Sequence, residues 1–185
     1  MSRPFRNWLR VLASLLVAIT THAQSGGFER KGILDFSNDP CGDPFMESQL
    51  FRYFPGRVSK IVDGHTILAA LSEPRQILRV HLGGIAVERR GQFAKKAAER
   101  LTEISLNQAV TVIANVEFGK RPRKEVTGVV LVSQGSDLGF ALLGEGLARF
   151  KEPGPYEMSD HTECKYRRAE AEAQSKKLGL WQPKS

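Results

Sequence analysis

The feature that most restricts the fold is a change of hydrophobic period along the chain. Three short segments, 57–62, 66–71 and 76–82, are rich in β-branched and other apolar residues, and the third alternates Leu78, Val80 and Leu82 against Ile77, Arg79 and His81. Alternation of period two puts one set of side chains on a buried sheet face and the other on the opposite face. Asp63-Gly64-His65 is a turn signal between the first two segments, so the three are expected to form an antiparallel meander. From Phe93 the period becomes helical, with Phe93, Ala97, Leu101 and Ile104 on one stripe and Lys95, Lys96, Glu99, Arg100 and Glu103 mainly on other faces. That stripe is expected to face the core.

A longer strand is predicted over 109–118, a polar tip over 119–125 and a partner strand over 128–133, which together make a hairpin. Asp137 is placed to cap a short helix carrying Leu138, Ala141 and Leu142 and ending near Gly144 or Gly146. A Pro and Gly loop at 153–155 precedes a last helix over about 160–177, with Gly179 as its stop and Leu180 and Trp181 packing back on the body. Three strands, a helix, two strands and two more helices describe an α+β domain, mainly β. Five short strands remove their edges by curling into a closed barrel, and the oligonucleotide/oligosaccharide-binding barrel (OB-fold) with three helices is the expected architecture.

The length of 185 residues suits one domain, able to bury roughly two thirds of its unfolded surface. A composition of 41% hydrophobic and 25% charged residues excludes disorder, collagen and coiled coil as whole-chain readings. Residues 1–23 read as a signal peptide: Arg3, Arg6 and Arg10 without an acidic residue, an apolar run from Val11 to Ile19, then Thr21 and Ala23 flanking His22, with cleavage expected after Ala23. The run is too short for the roughly 20 residues of a membrane span, so no transmembrane helix is expected in the mature chain; the other reading is an uncleaved amphipathic anchor. Residues 24–55 read as an irregular N-terminal extension, 56–182 as the domain and 183–185 as a tail. Export, to the periplasm or the medium, places Cys41 and Cys164 in an oxidising compartment, where such a pair is expected to form one disulfide.

The net charge of +7 needs the same partition. Three positive charges leave with the signal segment, the extension carries three positive against five negative, and from Gly56 onward there are 21 positive against 15 negative. The basic surplus belongs to the domain and suits nucleic acid or another polyanion. Lys120, Arg121, Arg123 and Lys124 cluster on the hairpin tip, where they either contact phosphate or form a solvated tip. Phe118 and Tyr156 are candidates to stack on bases, or partly buried anchors.

Four runs together resemble the staphylococcal nuclease (thermonuclease-like) family over residues 56–182: Ile61-Val62-Asp63-Gly64-His65-Thr66-Ile67, Arg79-Val80-His81-Leu82-Gly83-Gly84-Ile85, Gly144-Glu145-Gly146-Leu147-Ala148, and Tyr166-Arg167-Arg168-Ala169-Glu170-Ala171-Glu172-Ala173 leading to Leu178-Gly179-Leu180-Trp181. The resemblance implies a five-stranded OB barrel with three helices and an ancestral calcium-dependent phosphodiesterase acting on DNA and RNA. It also implies carboxylates on a hard calcium ion, a glutamate as general base and two arginines clamping the phosphate.

The family's residues do not carry over intact. His65 stands where the family's turn has a calcium-binding Asp, and neutral imidazole is a poor calcium ligand. His81 stands at the first clamping arginine, with Arg79 two residues earlier on the same strand face as a partial substitute. Ala86 replaces the second metal carboxylate and Thr127 the second clamp. Val87-Glu88-Arg89 replaces Ala-Pro-Glu, so the base position falls on Arg89 without a gap or on Glu88 with a one-residue deletion, the alignment preferred here.

Catalysis therefore rests at most on Glu88, Arg79 and His81. His65 and His81 with Glu88 would make a two-histidine, one-carboxylate site for zinc, manganese or iron; the bland alternative is two solvated residues in a retired cleft. The leading expectation is an exported barrel that binds nucleic acid or another polyanion with hydrolysis weak or lost. The alternatives are an active metal-dependent endonuclease using Glu88 and an envelope interaction module.

Overall fold

A computed structural model describes residues 39–42, 50–116, 122, 124–133 and 135–183. The residues read as a signal segment, most of those read as an extension, Phe118 and the tip residues Lys120, Arg121 and Arg123 lie outside the described residues.

The predicted meander is present as β1 (Arg52–Asp63), β2 (Thr66–Leu71) and β3 (Gln76–Leu82), antiparallel in sequence. β1 starts five residues before the strand read from the sequence. Its first half pairs with β5 (Ala109–Ala114) and its second half with β2, and Gly56 is where it passes from one partner to the other, opposite both Leu71 and Val110. A Cβ at Gly56 would stand 2.6 Å from the Ala70 carbonyl oxygen, so the crossing needs glycine. Pro55, which argues against a strand, is tolerated for a specific reason. Its carbonyl accepts from Ser72 N at 2.9 Å, just beyond the last β1–β2 pair, so its missing N–H falls where β2 has ended.

The predicted hairpin is present as β5 and β6 (Glu125–Val132), antiparallel from Val110↔Val132 to Ile113↔Val129. β5 stops at Ala114 rather than 118, and β6 begins at Glu125 rather than 128. The earlier start of β6 has a cause that no local pattern shows: residues 125–128 pair in parallel with β3, Arg79↔Glu125 through Leu82↔Gly128. This pairing closes the five strands into a barrel in the order β1-β2-β3-β6-β5. Its interior is filled by the alternating sets the sequence marks, including Ile67, Ala69, Leu78, Val80, Val112 and Val130, all fully buried.

Outside the barrel, β4 (Ile85–Ala86) pairs with β7 (Arg149–Phe150) in a two-stranded ribbon the sequence does not signal. The helical stripe forms α1 (Gln92–Ser105), with Ala97 and Leu101 fully buried and Phe93 and Ile104 packed at the margin. Next comes α2 (Leu138–Gly144), capped by Asp137 as expected; its Oδ1 accepts from Gly139 N at 2.8 Å, from Phe140 N at 3.1 Å and from the Tyr166 hydroxyl at 2.7 Å. Tyr166 lies on α3 (Asp160–Ser175), so one oxygen caps α2 and docks α3. Burial pushes the Asp137 carboxyl above the ordinary aspartate range, against the pull of its three hydrogen bonds.

Past α3, Leu180 N bonds Gly146 O at 2.9 Å and the Arg149 guanidinium lies 4.4 Å over the Trp181 ring, which returns the end of the chain to the body. Cys41 and Cys164 form a disulfide with Cα atoms 5.5 Å apart, tying the short described piece at 39–42 to the first turns of α3. Asp39 joins the same tie, pairing with His161 Nε2 at 3.2 Å and accepting from Cys41 N at 2.8 Å. Among the described residues no helix is long and apolar enough to cross a membrane.

Candidate functional site

The site forms where the β1–β2 turn meets the far end of β3 and the start of β6. Asp63 Oδ1 accepts from the backbone N of His65 at 2.9 Å, which fixes the turn, and lies 3.0 Å from His65 Nδ1. An ionised carboxylate only accepts, so Nδ1 carries the proton and the neutral ring leaves Nε2 as a bare acceptor. Gly64 packs the turn inward: a Cβ there would meet Val87 Cγ1 at 2.8 Å and Ala97 Cβ at 2.9 Å. The turn is thereby seated against α1 and against the segment that carries Ala86 and Glu88.

Thr66 and His81 are opposite one another on β2 and β3, and His81 is opposite Thr127 on β6. The His81 Nε2–H donates to the Glu125 carboxylate, so in the neutral ring Nδ1 accepts from the Thr66 hydroxyl at 3.1 Å. Both ring nitrogens are therefore engaged. Thr66 is buried, which rules its hydroxyl out as a nucleophile despite the hydroxyl–imidazole–carboxylate order of the three groups. The His65 and His81 rings are 6.0 Å apart between centroids and tilted by 37°. The hydrogen bond from His81, aided by the nearby charge of Arg79, holds the Glu125 carboxyl below the ordinary glutamate range.

The structure thus brings His65, His81 and Arg79 to one end of the barrel, as their sequence positions require. Glu88 is exposed and its Oε2 would stand 3.7 Å from a Cβ at Gly91, at the start of α1. Among the described residues no three His, Cys, Asp or Glu side chains converge as a metal cage, so Glu88 does not complete one with the two histidines. Lys124, the tip cation within the described residues, is exposed and gives its carbonyl to Arg79 N at 2.9 Å, beside the site. Tyr156 is 62% exposed, on a loop whose Met158 covers Gly84: a Cβ at Gly84 would stand 2.2 Å from Met158 Cε. Lys151 N donates to Gly84 O at 3.0 Å and ties the start of that loop to the same turn.

Glu125 is the site residue that sequence reasoning missed. Read as the end of a polar tip, it gave no local sign of function; only the parallel β3–β6 pairing sets it beside His81, 44 positions away.

A calcium ion needs six to eight oxygen ligands. At the positions that the resemblance assigns to the family's carboxylates stand the His65 ring and the Ala86 methyl, Asp63 Oδ1 is spent on His65, and the Thr66 hydroxyl is spent on His81. These residues do not fit calcium. The positions that the resemblance assigns to the two clamping arginines carry an imidazole bound on both sides and the hydroxyl of Thr127.

No curated protein matches the chain. The family model described as staphylococcal nuclease homologue matches residues 76–183, from β3 through α3 to the chain's return on the body, and covers more than half of the sequence. With the closed barrel and its three helices in the order that the sequence implies, the chain belongs to the family of staphylococcal nuclease homologues.

Proposed function

We propose that the protein is an exported barrel that binds nucleic acid or another polyanion and hydrolyses phosphodiesters weakly or not at all. Membership of the family supports the coarser part of this, a nucleic-acid-related role on a nuclease-type domain. The finer part rests on one observation. His81, at the clamp position, spends its outward N–H on Glu125 and its other nitrogen on Thr66, so no free donor at that position meets charge developing on a phosphate. Loss of one such electrostatic donor typically costs about 100- to 1,000-fold in rate, and groups that act as a unit fail together. Ala86 and Thr127 extend the deficit to the metal and to the second clamp.

Binding needs less than catalysis. The surplus of 21 positive over 15 negative charges from Gly56 onward supports attraction to a phosphate backbone without any group in catalytic register. The Cys41–Cys164 bridge supports an oxidising destination.

The test is digestion of plasmid DNA and RNA by residues 24–185 with calcium, manganese or zinc, beside a Glu88→Gln variant. No cleavage with any metal, together with a mobility shift that fades as salt rises from about 20 mM, is the expected result. Cleavage that disappears in Glu88→Gln overturns the proposal in favour of an active endonuclease. Absence of a shift even at about 20 mM salt removes the polyanion.

A further inference from the structure

We infer that the carboxylate of Glu125 is a built-in occupant of an oxyanion seat formed by the outward N–H of His81, with Arg79 alongside, so that a phosphate oxygen binds there only by displacing it. The inference rests on the polyanion-binding reading above and adds to it a residue that masks the same site.

Register supplies the geometry. Glu125 lies directly across from Arg79 in the parallel β3–β6 pair, yet its carboxylate reaches along the strands to His81, two positions further on the same face. Nothing in the local strand pairing requires that reach, and a solvated glutamate at a strand end would ordinarily point outward. The chemistry supplies the ligand class. A carboxylate and a phosphodiester are both anionic acceptors of N–H groups, so donors that gather one are suited to the other.

Burial gives the order of the layers. Thr66 is buried beneath His81 and holds Nδ1, the imidazole is 31% exposed, and the Glu125 side chain above it is 61% exposed. With Nδ1 held from below, Nε2–H is the one outward donor of the neutral ring, and Glu125 covers it. Among the described residues, Arg79 stands across the pair, Lys124 is next in the chain and Asp63 lies beside His65. Glu125 is thus flanked by Arg79 in register and by Lys124 in sequence. An exposed carboxylate–imidazole pair is weak, which suits a cover that a multivalent polyanion displaces and a single phosphate does not.

The test compares the dissociation constant of a fluorescent single-stranded oligonucleotide for the wild-type protein, Glu125→Gln, Glu125→Ala and a charge-matched control, Glu73→Gln. Glu73 lies in the turn at the opposite end of the β2–β3 hairpin, beyond Leu71↔Gln76. Glu125→Gln is expected to tighten binding about five- to tenfold at about 50 mM salt, and to steepen the salt dependence by up to about one unit of slope. Glu125→Ala should tighten it at least as much, and Glu73→Gln by at most about twofold, the share due to net charge alone. Binding by Glu125→Gln that persists at salt where wild-type binding has already faded would be the strongest support. Wild-type binding that Glu125→Gln and Glu125→Ala improve no more than Glu73→Gln does would overturn the mask and leave the polyanion reading standing. No binding by any of the four would overturn both.

Discussion

Asp137 gives the sharpest quantitative handle on this fold, because a single oxygen serves two helices. Its Oδ1 accepts two backbone N–H groups at the start of α2 and the hydroxyl of Tyr166 on α3, whose side chain is almost fully buried. Asp137→Ala removes an N-cap, at a cost of about 1 kcal/mol, and strands a buried phenol hydroxyl, at a cost of about 1–3 kcal/mol. The expected loss is about 2–4 kcal/mol. With a urea slope of about 2 kcal/mol/M, a loss of 3 kcal/mol moves the unfolding midpoint down by about 1.5 M.

Tyr166→Phe keeps the packed ring and deletes only the hydroxyl, so in the Asp137→Ala background it should cost less than in the wild type, with a coupling of about 1–2 kcal/mol. Urea unfolding of the four proteins of this double-mutant cycle, followed by circular dichroism, measures the coupling. Two single costs that add within about 0.5 kcal/mol, or an Asp137→Ala loss below about 0.5 kcal/mol, would refute the shared-oxygen argument.

The pH dependence has a definite sign. Burial raises the Asp137 carboxyl above its ordinary range, so between its unfolded and folded titration points the folded protein holds more protons than the unfolded chain. This group alone therefore makes stability fall as pH rises through that window. Asp137→Asn keeps an accepting oxygen and should abolish that contribution to the slope.

Other perturbations test the frame around the site. Reducing the Cys41–Cys164 bridge, which spans 123 positions, is expected to remove up to about 4–5 kcal/mol in the chain-entropy picture; an unchanged urea midpoint in excess dithiol would contradict it. Gly64→Ala places a methyl 2.8 Å from Val87 and 2.9 Å from Ala97, so a loss of about 1–3 kcal/mol is expected, with a displaced His65 turn visible as shifted imidazole resonances. Leu101→Ala on α1, fully buried in the main core, should cost about 2–5 kcal/mol, measurable as a lowered urea midpoint at constant slope.

Periodicity by itself was enough to specify the meander, the stripe of α1, the β5–β6 hairpin and the Asp137 cap. Each depends on neighbours a few residues apart, and side-chain spacing reports that directly. The resemblance added the family and assigned its metal and clamp positions to His65, His81, Ala86 and Thr127. What those side chains do there was not legible in the sequence. That His81 is bound on both nitrogens, with Glu125 against it, follows from a parallel pairing between positions 46 residues apart. The early start of β1 has the same origin in barrel closure, Pro55 is tolerated because β2 ends beside it, and the β4–β7 ribbon joins segments far apart in the chain outside the barrel. Local spacing determines which residues share a face. Which faces meet is decided when the barrel closes, because the partner that satisfies a strand's hydrogen bonds is fixed by the whole sheet and not by the residues beside it.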